Sequence, residues 1–214
     1  MAQPFIAAFD LATATGCADG YPTQQAPRLW SWYLDDAGGF RPARLAYLWR
    51  FCSTYFQQQR ALDQPVDEVV YELPINIGTI ANAMARGSFV TSEDTLATLR
   101  GSIGVLEAAA ANAGIQTIRG MDIKDARKHV TGQRTFPKGV DAKAMTMRAV
   151  VALGWRPENN NESDAAVLWA LAAGQASPAA AATTRAVHMD QPTVTIGRKP
   201  RDPHRGTLFE EKTK

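Results

Sequence analysis

Apolar and polar positions along the first 174 residues of the chain alternate between strand-like and helix-like patterns. Residues 4–10, 28–34, 67–73 and 115–120 are short runs, largely apolar or aromatic, of the length expected for strands. Residues 13–20 contain two glycines and are interpreted as a turn that leads into a further strand. Strand-like runs separated by longer helical stretches predict an α/β domain.

Helical periodicity fills the intervals between these runs. The clearest helix begins at the capping-box pair Thr91 and Asp94, carries an apolar stripe from Leu96 to Ala110, and stops at Gly114. Because the first three strands follow one another closely, they favour an antiparallel meander. The prediction is therefore a mixed five-stranded sheet with helices on both faces. The other predicted helices cover residues 41–59, 123–130, 141–153 and 162–173.

The composition changes after the last of these helices. Residues 175–214 are first rich in Ala, Thr and Pro and then basic, whereas the apolar periodicity belongs to residues 1–174. We therefore predict one folded domain over residues 1–174 and a flexible tail over residues 175–214.

Cysteine usage and hydropathy narrow the setting in which the protein works. Cys17 and Cys52 are too few for a disulfide framework and lack the paired spacing of a metal site. No stretch approaches the ~18 apolar residues of a membrane span, and the N-terminus has no basic region typical of a signal peptide. The expected location is the cytoplasm, with no membrane partner.

Charge is unevenly distributed along the chain. Residues 119–156 contain nine Lys and Arg against three Asp and Glu, whereas residues 1–118 contain seven against eleven. A basic segment beside an acidic one is compatible with a site that holds cations and contacts a polyanion. A solvated helical surface is the alternative interpretation of the basic segment.

Three acids stand at the ends of predicted elements. Asp10 closes the first apolar run, Glu72 closes a later strand, and Asp164 opens the last helix, with Glu162 two residues before it. Ligands in open α/β sheets bind beyond the carboxyl ends of strands. A buried carboxylate needs a partner, so several together favour a hard divalent cation and metal-dependent phosphodiester chemistry.

The sequence around these acids resembles a known family. The three blocks are Phe9-Asp-Leu-Ala-Thr-Ala-Thr-Gly16, Val70-Tyr-Glu-Leu-Pro74 and Asn161-Glu-Ser-Asp-Ala-Ala166. In order and approximate spacing they resemble the signature blocks of RuvC-type Holliday junction resolvases, particularly those of phages and prophages, over residues 5–172. The resemblance implies a ribonuclease H-like fold, a homodimer, and divalent-metal-dependent nicking of four-way or other branched DNA.

The resemblance also implies a set of site residues. Asp10, Glu72 and Asp164 match acids that hold Mg²⁺, for which Mn²⁺ would substitute. The better-known bacterial pattern has a second acid three residues before the last one, where this chain has Asn161. Glu162 is the candidate for the fourth catalytic ligand, or for a group that supports the ligands, and Asn161 is the alternative fourth ligand.

DNA contacts are expected from the basic segment and from the loop after Glu72. The loop, residues 74–87, would place Arg86 near the junction centre, or it would serve as a dimer contact or an ordinary packed loop. Lys138 and Lys143 resemble the basic stretch that precedes the last helices in the family. The predicted phosphate contacts are Lys124, Arg127, Lys128, Arg134, Lys138 and Lys143.

Two other classes of protein remain open on sequence alone. The segment from Asp10 to Gly16 also resembles the phosphate loop of sugar-kinase and actin-like ATPases, although no second glycine-rich phosphate loop follows. A non-catalytic protein that binds junctions is the other alternative, because the fourth ligand is unusual.

Overall fold

The computed structural model describes residues 3–34, 40–73 and 93–185. No helix in these ranges is long and apolar enough to cross a membrane. The described strands are β1 (Ile6–Asp10), β2 (Ala14–Gly20), β3 (Arg28–Tyr33), β4 (Glu68–Glu72) and β5 (Thr117–Met121). The described helices are α1 (Arg41–Ala61), α2 (Glu93–Asn112), α3 (Ile123–Thr131), α4 (Ala142–Ala152), α5 (Asn160–Ala176) and α6 (Pro178–Thr183).

The strands form one mixed sheet in the order β3-β2-β1-β4-β5. The pairs β1–β2 and β2–β3 are antiparallel, which confirms the predicted meander, whereas β1–β4 and β4–β5 are parallel. The parallel pairs need crossover connections, and α2 lies in the crossover between β4 and β5. The predicted five-stranded α/β sheet is therefore confirmed.

Each face of the sheet carries its own hydrophobic core. On one face, Phe9 and Val69 pack with Leu48 of α1 and Leu106 of α2. On the other face, alternate strand residues such as Ala8 pack against α5, which is itself flanked by α3, α4 and α6. The residues of α5 from Glu162 to Ala170 are all buried, between the sheet and the other helices. A helix that is covered on every side needs no polar face, which explains the unbroken apolar run from Ala165 to Ala170.

Helix ends agree with the local sequence chemistry. The Asp122 side chain caps α3 by accepting from the backbone N–H of Lys124, and Gly132 ends that helix in the left-handed conformation with φ 76°. Asn159 caps α5 in the same way by accepting from two backbone N–H groups. The predicted capping residue Thr91 lies outside the described residues, as do residues 74–87 and Arg86.

The folded part of the chain continues beyond residue 174, where the sequence places the end of the domain. Helix α5 runs to Ala176, and α6 then packs back on it with Ala180 and Thr184 buried. An Ala-rich segment has high helix propensity, so it continues the fold when a neighbouring helix covers it. The rest of the predicted tail, residues 186–214, lies outside the described residues.

Gly16 lies within strand β2, two residues after its start, and not in the turn that the sequence suggests. A Cβ at this position would lie 2.0 Å from the carbonyl oxygen of Asn161. No side chain fits at that distance, so glycine is required for the N-terminus of α5 to rest directly on the sheet. This contact sets the position of the first turn of α5.

Candidate metal centre

Three of the predicted acids lie around one edge of the sheet. Asp10 ends β1 and Glu72 ends β4, and these neighbouring parallel strands carry both side chains to the carboxyl edge. Asp10 pairs across the sheet with Gly16, and α5 rests on Gly16. Asp164 lies near the start of α5, close enough for its charge to raise the pKa of both Asp10 and Glu72.

A hydrogen bond joins the carboxyl groups of Asp10 and Glu72. Burial, together with the charges of Glu72 and Asp164, raises the pKa of Asp10 to about 8 from its usual 3.8. Burial also raises the pKa of Glu72, although the hydrogen bond from Asp10 opposes this. The pair therefore shares a proton at neutral pH, with Asp10 donating to Glu72.

Asp164 is held by an arginine of α3. The Nη2 of Arg127 donates to both carboxylate oxygens of Asp164, at 2.9 and 3.1 Å. The Asp164 side chain is only 3% exposed and that of Arg127 15%, so this ion pair is largely removed from water. Within the described chain, the buried Nε of Arg127 has no hydrogen-bond partner. Arg127 therefore keeps donor capacity at the acid cluster.

A second cation acts on the acids from α4. The charge of Lys143, in the first turn of α4, lowers the pKa of Asp10 and of Glu72. The Lys143 side chain is exposed, so it can change its conformation when a ligand binds. From two helices, Arg127 thus acts on Asp164 and Glu72, and Lys143 acts on Asp10 and Glu72.

The donor set suits a hard divalent cation, but it is not assembled as a ligand set. Among the residues that the structure describes, no group of three or more Asp, Glu, His or Cys side chains is in place to hold a metal ion. Asp10 and Glu72 are joined by a proton, and Asp164 faces Arg127. Carboxylate oxygens are nevertheless the ligands that Mg²⁺ prefers, and a cation would offset the mutual repulsion that raises the pKa of Asp10.

Glu162, the candidate fourth ligand, faces a different part of the sheet. Its side chain accepts from the Oγ of Ser31 at 2.8 Å, from the Nδ2 of Asn159 at 3.1 Å and from the backbone N–H of Glu158 at 2.8 Å. Residues two apart on a helix lie on opposite sides, which is why Glu162 and Asp164 diverge. The contacts that the structure gives Glu162 do not include the acid cluster.

The sequence contains a local signal for these contacts of Glu162. Asn159 and Glu162 have the spacing of a capping box, in which the residue three positions after the cap folds back to a backbone N–H. Here the Asn159 side chain accepts from the N–H of Glu162, and Glu162 accepts from that of Glu158. The part played by Ser31, which lies on a distant strand, had no signal in the sequence.

The predicted DNA contacts occupy several environments. Lys124 and Lys128 are exposed one turn apart on α3, and Lys138 is exposed in the loop before α4. Arg134 forms ion pairs with Asp122 and Asp125, which offset its charge. Lys143 lies closest to the acids, as described above.

Comparisons with known proteins identify the fold. No family model and no curated protein matches the chain by sequence. The structure of RuvC from Thermus thermophilus matches with a TM-score of 0.55 and 15% identity, covering 86% of this chain and 99% of RuvC. The T. thermophilus RuvC structure in complex with a Holliday junction substrate matches with a TM-score of 0.56, at the same identity and coverage. The chain has the RuvC type of ribonuclease H-like fold, as the resemblance implied.

Proposed function

We propose that this protein is a divalent-metal-dependent endodeoxyribonuclease that makes paired nicks in four-way or other branched DNA. The observation that carries the proposal is the convergence of Asp10, Glu72 and Asp164, from two strands and a helix, at one edge of a RuvC-like sheet. Similar folds serve many functions, so this site, and not the architecture alone, supports the proposed activity.

The three acids have the burial and the mutual repulsion expected of carboxylates that bind a cation. Asp10 and Asp164 are 7% and 2% exposed, yet each lies within the field of the other carboxylates. When bound, Mg²⁺ or Mn²⁺ would polarise the phosphodiester and lower the pKa of an attacking water. Asp10, Glu72 and Asp164 would hold this metal ion. To do so, Asp10 must lose its proton, and the Asp164 carboxylate must turn away from Arg127.

The surrounding cations have a place in this proposal. Once released from Asp164, Arg127 can direct its Nη2 toward a phosphate oxygen, together with its Nε, which has no hydrogen-bond partner among the described residues. Lys143 adds positive charge on the α4 side, and Lys124 and Lys128 continue a basic surface along α3. These residues would position the DNA backbone without reading its sequence.

Two features of the proposal concern the assembly and its setting. A homodimer would present one metal centre to each of two opposed strands, which suits paired nicks. The block Asn161-Glu-Ser-Asp164 favours the phage-like branch of the resolvases. We therefore place the activity in recombination or in phage genome processing.

The test is cleavage of a synthetic four-way junction by the purified protein with Mg²⁺ or Mn²⁺. We expect symmetrical paired nicks from the wild type, and a loss of at least about 10³-fold in Asp10→Asn and Asp164→Asn, with junction binding retained. Asp63→Asn is the matched control, because Asp63 is exposed and its positive φ of 57° suits Asn.

The outcomes separate the proposed enzyme from its rivals. Binding without cleavage by the wild type would identify a non-catalytic junction-binding protein, and equal cleavage by the two Asn variants would rule out the acids as the catalytic centre. Strictly monomeric protein that cuts both strands in concert would contradict the dimer.

A further inference from the structure

A row of residues across the sheet connects the acid cluster with Glu162. Asp10 of β1 pairs with Gly16 of β2, which in turn pairs with Ser31 of β3. Residues paired across a sheet point to the same face, and strands lie about 4.8 Å apart, so Asp10 and Ser31 are separated by about 9–10 Å. The N-terminus of α5 rests on the middle of this row, at Gly16.

The N-terminal end of α5 therefore has a carboxylate toward each end of the row. Asp164 lies by the acids at the β1 end, while Glu162 accepts a hydrogen bond from Ser31 at the β3 end. The Nδ2 of Asn159 lies 2.9 Å from the Oγ of Ser31 and 3.1 Å from Oε1 of Glu162, which closes a triangle of polar groups. This triangle attaches the helix cap to the edge strand.

The Glu162 carboxylate has the character of an anchor. It is 2% exposed and each of its oxygens accepts at least one hydrogen bond, so its burial is matched by donors without a cation. A metal ligand in the same environment would have to give up these bonds. The N-terminal position in α5 also favours its negative charge.

We propose that Glu162 and Ser31 are positioning residues that set the location of Asp164 relative to Asp10, and that Glu162 is not a metal ligand. The inference rests on the proposed metal centre. Because α5 is supported at Gly16 and fastened at Ser31, loosening the fastening lets the first turn tilt on the sheet. Because Asp164 lies on the opposite side of the helix from Glu162, this tilt changes the distance from Asp164 to Asp10.

The experiment compares Glu162→Gln, Ser31→Ala and their combination in two measurements. Thermal unfolding is measured with EDTA present, and Mn²⁺ affinity is measured by electron paramagnetic resonance without DNA. We expect each single variant to lower the Tm by about 4–8 °C and to weaken Mn²⁺ binding about tenfold. The double variant should lose less than the sum of the single variants, because both changes disrupt the same network of Ser31, Asn159 and Glu162.

Two further variants separate positioning from a general loss of stability. Ser177→Ala removes the cap of α6, where the Ser177 side chain accepts from the N–H of Ala180. It should lower the Tm without changing Mn²⁺ affinity. Ser31→Thr keeps a hydroxyl and should restore Mn²⁺ affinity to within about twofold of the wild type.

Each contrary result has a distinct meaning. Unchanged Mn²⁺ affinity in Ser31→Ala, with wild-type binding intact, would overturn the positioning role. A Glu162→Gln variant that binds Mn²⁺ weakly but unfolds at a higher temperature would identify Glu162 as a ligand. Wild-type protein that binds no Mn²⁺ would instead overturn the proposed function, and with it the positioning role.

Discussion

The two sides of the N-terminal end of α5 bury carboxylates in opposite ways. Asp10, Glu72 and Asp164 are acids close to one another, and burial together with the charges of Glu72 and Asp164 raises the pKa of Asp10 to about 8. Glu162 is as deeply buried as Asp164, at 2%, but hydroxyl, amide and backbone donors satisfy it. Burial of an acid is therefore a poor marker of function, and the balance between donors and like charges is a better one.

The difference also concerns stability. Like charges brought together in a desolvated site destabilise the metal-free fold, whereas a satisfied carboxylate stabilises it. Functional sites commonly retain groups that lower the stability of the fold, because binding or catalysis requires them. The comparison predicts that neutralising an acid has opposite effects on the two sides.

The largest effect should come from Gly16→Ala, which disturbs both sides together. The added Cβ would meet the backbone of Asn161 and Glu162 at 2.0 to 2.7 Å, so α5 must move away from the sheet. We expect a loss of about 3–5 kcal/mol in the free energy of unfolding, measured by urea denaturation. Junction cleavage should fall at least about 100-fold, because Asp164 moves with the helix.

Gly104→Ala is the matched control for this change. Gly104 lies in helix α2, and a Cβ there would meet nothing within 4 Å. Alanine has the higher helix propensity, so we expect this variant to gain about 0.5–1 kcal/mol. Normal stability in Gly16→Ala would show that α5 does not depend on contact with β2.

Much of this arrangement could be predicted from sequence, because the signals were local. The apolar run before Asp10 and the one before Glu72 predicted strands that the structure confirms. The spacing of Asp164 from Val167, Leu168 and Leu171 predicts that it shares their sheet-facing side of α5. Periodicity of this kind reports which face is buried, and the placement of the acids followed from it.

Contacts between distant segments could not be predicted in the same way. The approach of Asn161 to Gly16 and the bond from Ser31 to Glu162 join residues more than 120 positions apart. Arg127 was assigned to DNA by its charge alone, and its pairing with Asp164 depends on how α3 packs against α5. Such pairs become visible only when the tertiary fold is known.

The next largest effect concerns Asp10→Asn and its dependence on pH. The pKa of Asp10 is about 8 in the fold and near 3.8 unfolded, so its contribution is most favourable below pH 4 and is lost as pH rises to about 8. Removing the charge should therefore stabilise the metal-free protein by roughly 2–3 kcal/mol at pH 8. The expected rise in Tm is about 5–10 °C.

The pH series provides the control for this variant. At pH 5 Asp10 is already protonated in the fold, so the gain should shrink to about 1 kcal/mol or less. Differential scanning calorimetry in EDTA at the two pH values measures both quantities. Equal Tm gains at pH 5 and pH 8 would contradict the repulsion assigned to the acid cluster.

The smallest effect is expected from Arg127→Gln, which tests how the acid cluster is held without metal. Its guanidinium pairs with Asp164 through Nη2 and lowers the pKa of Glu72, so it competes with any cation for these acids. Without this competition, Mn²⁺ should bind about 5–10-fold more tightly in the absence of DNA, as measured by isothermal titration calorimetry.

Arg134→Gln removes an equal charge that pairs with Asp122 and Asp125, and it should leave Mn²⁺ affinity unchanged. Weaker Mn²⁺ binding in Arg127→Gln would instead mean that Arg127 orients Asp164 as a ligand, because the loss of its hydrogen bonds would then outweigh the loss of its charge.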